Sequence, residues 1–82
     1  MRLDQLLKYS GLFPKRHIAK FFCSHNAVKV NGVAKKPTAQ VKDMDIVSVN
    51  IGDKVIEFYF HEEKEDNIIK IGFELIEDKS DA

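Results

Sequence analysis

The apolar residues of this chain change their spacing near residue 27, and this change limits the folds open to it. Residues 3–9 and 14–24 carry apolar side chains three and four positions apart, the spacing of amphipathic helices. Later residues alternate between apolar and polar, as in the strands of a half-buried sheet. Two helices followed by four or five short strands predict an α+β domain, with the helices packed on a small, mostly antiparallel sheet.

Local signals place the ends of these elements. Pro14 stands where the second helix begins, and Asn26 accepts the left-handed conformation that follows a helix. Asn31-Gly32 predicts a tight hairpin turn. We predict strands over residues 28–30, 33–34, 46–51 and 55–60, an acidic loop over 61–67, a final strand over 68–77 with a bulge at Gly72, and a frayed tail over 78–82.

Charge is divided between the two halves of the chain. Residues 1–42 carry nine lysines and arginines and one acid, Asp4, for a net charge of +8, whereas residues 43–82 carry four lysines and twelve acids, for −8. Arg16 and Lys20 lie one helical turn apart, where like charges repel, so folding alone does not account for them. We therefore predict a polyanion-binding face, in preference to a merely solvated basic surface.

The side chains of the second helix favour RNA over DNA. Its polar side offers Arg16, His17 and Lys20, with few of the side chains that read base edges in a DNA groove. Such cations suit the phosphates and 2′-hydroxyls of folded RNA. The phenylalanines, Phe21 among them, fall mostly at core spacing, so we predict no base-stacking platform.

Three features have two interpretations each. Asp4 either orients Arg2 or Arg16 toward RNA or complements the dipole of the first helix. His17 is either an RNA contact or an ordinary surface histidine. The acidic run over 62–66 is either a solvated loop or a binding site for a metal or a basic partner protein.

Size and cysteine content exclude several classes of protein. The 82 residues leave room for one small domain. The single cysteine, Cys23, forms no internal disulfide, which suits a reducing, cytoplasmic location. No apolar run reaches the ~20 residues that a membrane span needs, and the N-terminus does not match a signal peptide. We therefore expect a cytoplasmic protein with no membrane partner.

We predict no catalytic or metal site. The spacing of His17, Cys23, His25 and His61 matches no standard zinc pattern, and Cys23 reads as a small buried apolar residue. A glycine-rich phosphate loop, a pair of catalytic carboxylates and a catalytic triad are all missing from the sequence. The expectation is a protein that is not an enzyme and needs no cofactor.

Several motifs, in this order and at these distances, closely resemble the S4 domain, a small RNA-binding module. They are Met1-Arg2-Leu3-Asp4-Gln5-Leu6-Leu7-Lys8, Lys15-Arg16 with Ala19-Lys20, Val28-Lys29-Val30-Asn31-Gly32, Lys35-Lys36-Pro37, Val41-Lys42 and Asp45. The resemblance covers about residues 1–51. It implies that residues 1–60 form an S4-type (αL) fold, whose helices and hairpin present one positive surface to folded RNA.

The resemblance also implies the contact residues. The positions that match the family's RNA contacts are Arg2, Lys15, Arg16, Lys20, Asn31 and Lys35, with Lys36 adjacent. The candidate RNA-binding site adds three polar residues of the basic half, Lys8, His17 and Lys29. The chain departs from the family pattern at Met44, which stands where a glycine is expected before Asp45. We therefore expect a differently shaped turn there.

The whole chain resembles the stand-alone branch of this family, which contains RqcP-like ribosome quality-control factors and short bacterial heat-shock S4 proteins. Its Arg2-Leu3-Asp4 start and its Phe73-Glu74-Leu75-Ile76-Glu77 tail favour the RqcP-like group. This implies binding to the rRNA of a blocked large ribosomal subunit and to peptidyl-tRNA. It also implies help to a tailing factor that extends the stalled peptide, and a monomer away from the ribosome.

Other functions stay open at this point. The chain is alternatively a heat-shock-type ribosome rescue factor, or the RNA-guiding module of an RNA-modifying enzyme. A third alternative is a protein-interaction module whose acidic strands bind a basic partner. Only about 30 residues follow the S4-like part, and they carry no catalytic constellation, which weighs against the enzyme.

Overall fold

The order of helices and strands follows the change in apolar spacing. The computed structural model describes residues 1–66 and 68–80. Within those residues lie two helices and five strands, α1 (Leu3–Tyr9), α2 (Arg16–Ser24), β1 (Val28–Val30), β2 (Val33–Ala34), β3 (Ile46–Ile51), β4 (Lys54–Glu65) and β5 (Ile68–Ser80). The predicted α+β class is confirmed, as is the predicted extent of the first helix.

The strands form an antiparallel sheet, which in the described part of the chain has the order β2-β1-β3-β4-β5. The turn between β1 and β2 has φ values of 51° at Asn31 and 84° at Gly32. Two positive φ values in a two-residue loop are what a type I′ hairpin requires. The hairpin predicted from Asn31-Gly32 is therefore confirmed.

The helices cover one face of the sheet, and the core lies between the helices and that face. Leu3, Leu6 and Leu7 of α1 are fully buried, as are Val47 and Val49 of β3. Each large apolar side chain buried in this way stabilises the fold by about 1.5–3 kcal/mol. Because side chains alternate along a strand, the residues between these valines point to the opposite face, away from the helices.

The first residues of the chain are held against the segment that follows β2. The amide of Leu3 donates to the carbonyl of Ala39 at 2.8 Å, and the amide of Asp4 donates to that of Pro37 at 3.1 Å. The amide of Val41, a buried residue, donates to the carbonyl of Met1 at 2.8 Å. These bonds bring the start of α1 beside the lysine-rich exit of the hairpin. Val41 thus anchors the segment after β2 to the first residue of the chain.

The second helix begins later than predicted. Pro14 was expected at its first position, but α2 starts at Arg16 and Lys15 is the extended N-cap residue, with φ −137° and ψ 146°. Phe13, just before this start, is buried, and its ring centroid lies 4.8 Å from that of Phe22. The extended backbone of Lys15 thus separates Phe13 from the first turn of α2.

The acidic loop predicted over residues 61–67 is wrong. The strand β4 continues to Glu65, and its charged residues pair with β5, for example Glu62 with Ile71. The turn follows at Asp66, which has a φ of 47°. Charges did not prevent a strand here because each residue of β4 has a backbone partner on β5. Asn67 lies outside the described residues, and the assignment of residues 1–60 to one S4-type unit stays a prediction.

Two further expectations about β5 are corrected. Gly72 pairs in register with His61, so it forms no bulge. The strand register shifts instead between the neighbouring residues Glu57 and Phe58, which pair with Glu77 and Leu75. The tail predicted to fray from residue 78 continues as strand to Ser80, because β4 offers backbone partners that far. Residues 81 and 82 of that predicted tail lie outside the described part of the chain.

The turn before β3 places Met44 in a glycine-like conformation. Its φ is 69°, a left-handed value that costs a residue with a side chain about 1–2 kcal/mol. The turn is held from both sides, since Asp45 accepts from the amide of Lys42 at 2.8 Å and Asp43 accepts from the amide of Glu62 at 2.8 Å. Met44 thus has the left-handed backbone conformation that favours glycine, whereas we expected the methionine to change the shape of this turn.

The helices are short. Neither helix in the described part of the chain has the length and apolar composition to cross a membrane.

Candidate nucleic-acid interface

Two arginines converge on one buried carboxylate at the start of α1. The Nη2 atom of Arg2 donates to Oδ2 of Asp4 at 3.2 Å. Nε of Arg16 lies 3.2 Å from the same oxygen, and its Nη2 donates to Oδ1 at 3.4 Å. The side chain of Asp4 is completely buried, whereas those of Arg2 and Arg16 stay 39% and 42% exposed. Both guanidinium groups therefore combine an inner contact with a solvent-facing surface.

The environment of Asp4 keeps its carboxylate charged. Burial raises the pKa of this group, but the hydrogen bonds from Arg16 and from the amide of Gln5 lower it, as do the charges of Arg16 and Arg2. The net effect is a pKa below the ordinary value of 3.8. At neutral pH one negative charge thus faces two positive charges, so the cluster keeps an excess of positive charge.

The exposed side of α2 extends the positive surface. Lys20 lies one turn after Arg16 and is exposed, as are His17 and the N-cap residue Lys15. On α1, the exposed Lys8 lies one turn after Asp4. These cations are thus exposed, whereas the side chain of Arg16 turns partly inward to Asp4.

The exit of the hairpin brings two more lysines to this region. Lys35 and Lys36 line a groove of about 580 Å³ whose opposite side includes Ser24 and Asn26, at the end of α2. The next residue, Pro37, accepts the hydrogen bond from the amide of Asp4. The segment over residues 35–37 is therefore bonded to the start of α1 and faces the end of α2 across the groove. We call the cations of the two helices and this segment the basic surface, namely Arg2, Lys8, Lys15, Arg16, His17, Lys20, Lys35 and Lys36.

The pattern of S4 domains matches residues 1–47, more than half of the chain. The chain belongs to the S4 domain family. The match spans both helices, the hairpin and the start of β3. Within it lie all ten residues of the predicted RNA-binding site.

Several curated relatives carry the name RQC P-site tRNA stabilizing factor. The one from Listeria innocua is 39% identical over 56 residues, covering 68% of this chain and 61% of that protein. The one from Bacillus subtilis is 34% identical over 65 residues, covering 79% and 76%, and the one from Helicobacter pylori is 38% identical over 50 residues, covering 61% and 60%. The chain thus spans about three fifths of the length of the first of these relatives. The predicted resemblance to this group of S4 proteins is confirmed.

Two residues of the predicted site lie apart from the basic surface of this S4 domain. Lys29 stands between the buried Val28 and Val30, so its side chain points to the sheet face that is turned away from the helices. Asn31 uses its side chain inside the fold, since Nδ2 donates to Asp45 at 3.0 Å and Oδ1 accepts from the amide of Ile46 at 2.9 Å. The hairpin turn is the structural role of Asn31, and RNA contact by either residue stays a prediction.

Sequence reasoning left the role of Asp4 open, and the structure shows its contact with both arginines of the S4 motif. The single acid in a half with nine cations was the available signal. Arg2 and Arg16 were both candidate partners, but the spacing could not show that Asp4 contacts the two together, because Arg16 lies twelve positions away on another helix.

Phe21, which was predicted at core spacing, lies outside the core. It is 59% exposed, and its ring lies against that of His25 with centroids 4.1 Å apart and an angle of 31° between the planes. Cys23 is buried, as predicted for a small apolar residue. The inward face of α2 is therefore centred on Ala19 and Cys23, which shifts Phe21 outward.

Cys23 has the character of a core residue in this S4 domain. Burial raises the pKa of its thiol to about 11, with a smaller contribution from the negative charge of Asp4. The thiol is therefore protonated at neutral pH and is a poor nucleophile. Among the residues that the structure describes, no group of three or more histidine, cysteine, aspartate or glutamate side chains could hold a metal ion.

Proposed function

We propose that this S4 domain chain is a non-enzymatic RNA-binding factor of ribosome quality control. In this proposal it binds the P-site tRNA and the rRNA of a large ribosomal subunit that a nascent chain blocks. The single observation that carries RNA binding is the convergence of Arg2 and Arg16 on buried Asp4, beside the lysines that leave the hairpin. The relatives named as P-site tRNA stabilizing factors support the choice of RNA.

The basic surface suits the RNA backbone chemically. A guanidinium presents five N–H donors in a planar fork, so an arginine that spends one edge on a carboxylate keeps donors for a phosphate. Asp4 limits the positions that Arg2 and Arg16 adopt, which lowers the entropy lost when phosphate binds. Lys20, Lys35 and Lys36 add point charges around this pair, and Lys8, Lys15 and His17 extend it.

The proposed mechanism is one of bridging. A small domain with cations from two helices and a hairpin neutralises phosphates of two RNA segments at once, which holds the tRNA against the rRNA. The held tRNA lets a tailing factor extend the stalled peptide on the same subunit. The domain itself supplies contacts and no reaction step, and we place it with ribosomes in the cytoplasm, as a monomer when free.

A pair of single variants tests this assignment. Arg16→Ala removes a cation of the basic surface, and Lys54→Ala removes one at the start of β4, in the acidic half. We expect Arg16→Ala to weaken binding to large ribosomal subunits by about 1–3 kcal/mol, the value of a charge-assisted phosphate contact. Lys54→Ala should change it little. Co-sedimentation with purified subunits and fluorescence anisotropy with labelled tRNA measure both.

The controls separate binding from folding and from catalysis. Thermal melting of both variants shows whether Arg16→Ala acts through unfolding, because that change also removes one partner of the buried Asp4. Arg16→Lys keeps the charge without the fork and should fall between the wild type and Arg16→Ala. Equal binding by Arg16→Ala and Lys54→Ala would refute the assignment, and so would modification of RNA by the purified protein alone.

A further inference from the structure

A second surface lies on the sheet face that is turned away from the helices. Tyr59 and His61 alternate along β4 with the buried Phe58 and Phe60, so their side chains point to this outer face. Gly72, the cross-strand partner of His61, has no side chain, and a Cβ built on it would meet nothing within 4 Å. The gap opens a hollow of about 290 Å³, which we call the outer hollow.

Met44 forms one wall of the outer hollow and does not serve the core. Its side chain is 58% exposed, and its backbone occupies the left-handed region that favours glycine. Ile46, also exposed, is the cross-strand partner of Tyr59 and extends the apolar wall. A long apolar side chain that is both exposed and held on an unfavourable backbone indicates a use outside folding.

The margin of the outer hollow is acidic. Glu74 lines it and accepts a hydrogen bond from the hydroxyl of Tyr59, which raises the pKa of that hydroxyl. Asp43 lies beside it, 3.1 Å from Nδ1 of His61. These residues belong to the half of the chain with a net charge of −8. Such a site repels phosphates and attracts cations, so its partner differs in class from that of the basic surface.

We propose that the outer hollow is a docking site for a basic segment of a partner protein. A lysine or arginine of that segment lays its aliphatic stem on Met44 and Tyr59 and directs its charged end toward Glu74. Long cationic side chains combine these two properties, and a tyrosine ring adds a favourable cation–π contact. Charge complementarity therefore selects a basic protein segment over RNA as the occupant.

A titration followed by NMR tests the proposal. The probe is a short synthetic peptide that alternates lysine and leucine, added to the ¹⁵N-labelled full chain. We expect chemical-shift changes confined to the amides of Met44, Tyr59, His61, Gly72 and Glu74. A glutamate–leucine peptide and a single-stranded RNA oligonucleotide should leave these amides unchanged. Chemical-shift changes at these amides on addition of RNA would overturn the proposal. So would a peptide titration that leaves these amides unchanged or shifts amides across the whole chain.

Two variants alter the outer hollow without weakening the fold. Gly72→Val fills it at an open strand position, and Met44→Gly removes the apolar wall from a backbone that suits glycine. We expect both to melt at or above the temperature of the wild type and to bind the peptide at least about tenfold more weakly. Unchanged peptide affinity in either variant would contradict the assigned position.

A matched pair of charge-removing variants completes the design. Glu74→Gln removes a carboxylate of the outer hollow, and Asp53→Asn removes an exposed one from the turn between β3 and β4. Only Glu74→Gln should weaken binding of the lysine–leucine peptide. Equal losses of peptide affinity in both variants would show that the peptide responds only to overall negative charge, which would contradict the assigned site. All four variants should bind tRNA at least as tightly as the wild type, so a failure of RNA binding in the wild type is a separate result.

Discussion

Asp4 is the residue on which the chemistry of the basic surface depends. It is a buried carboxylate that contacts Arg2 and Arg16, and both arginines also reach solvent. An acid usually lowers the affinity of a surface for RNA, because it repels phosphate. We expect Asp4 to have the opposite effect here, because it contacts two arginines whose side chains also reach solvent.

Asp4→Asn separates these two effects. The change raises the local charge by one, so simple electrostatics predicts tighter RNA binding. If Asp4 positions the arginines, affinity should instead fall, by about 1 kcal/mol or roughly fivefold, because both guanidinium groups lose their ordered contact. Fluorescence anisotropy with tRNA decides between the two signs. Asp53→Asn, which also removes one negative charge, is the control and should bind slightly more tightly or the same.

The same residue makes stability depend on pH. Since the pKa of Asp4 in the fold lies below its ordinary value of 3.8, the charged form is the one that the fold stabilises. This contribution is fully present above about pH 5 and is lost as the pH falls through the lowered pKa of the fold. The loss of stability caused by Asp4→Asn should therefore be largest near neutrality and shrink in acid. Urea denaturation of both proteins across this range measures it, and a constant difference would contradict the assignment.

Whole elements differ in how well their sequences predict them. The extent of α1 follows from Leu3, Leu6 and Leu7, and the β1–β2 hairpin follows from Asn31-Gly32, because each signal is local. The length of β4 does not follow, because its charged residues past Phe60 resemble a loop until β5 supplies their backbone partners. Tertiary pairing thus decided what local composition could not.

Two glycines test the role of backbone conformation in these elements. Neither Gly32 nor Gly72 has an atom within 4 Å of an added Cβ, but only Gly32 has a positive φ, of 84°. Gly32→Ala should therefore destabilise the protein by about 1–2 kcal/mol. Gly72→Ala should stabilise it by roughly 0.5–1 kcal/mol, because glycine is unfavourable inside a strand. Chemical denaturation compares them, and equal effects would show that strain at the hairpin turn is not the cause.

At the scale of the whole molecule, the sequence predicted a basic surface but not how its members meet. The S4 motifs and the charge division identified Arg2, Arg16, Lys20, Lys35 and Lys36. Their meeting depends on backbone bonds between distant segments, such as that from Asp4 to Pro37, which no spacing in the sequence reveals. The sequence likewise did not show that Lys29 lies apart from the other cations. It was included in the predicted site, but its side chain points to the sheet face that is turned away from the helices.

The division of charge leads to a prediction about salt. If four to six cations of the basic surface release counterions from RNA, the logarithm of the binding constant should fall with the logarithm of salt concentration at a slope of about −3 to −5. The net charge of the chain is zero, so general attraction would give a much flatter response. Anisotropy titrations at several salt concentrations measure this slope. A flat response would exclude phosphate contacts as the main source of affinity.

The long β4–β5 ribbon gives the molecule a shape of 44 × 24 × 23 Å, and its acidic residues over 62–66 extend past the core under the helices. Most cations belong to the half of the chain that contains the helices, and most acids to the half that contains the ribbon, so we expect an electric dipole moment even though the net charge is zero. Near an RNA surface such a body experiences a torque before any contact forms. It would arrive with its helices leading and its ribbon trailing, so that most encounters begin in a productive orientation.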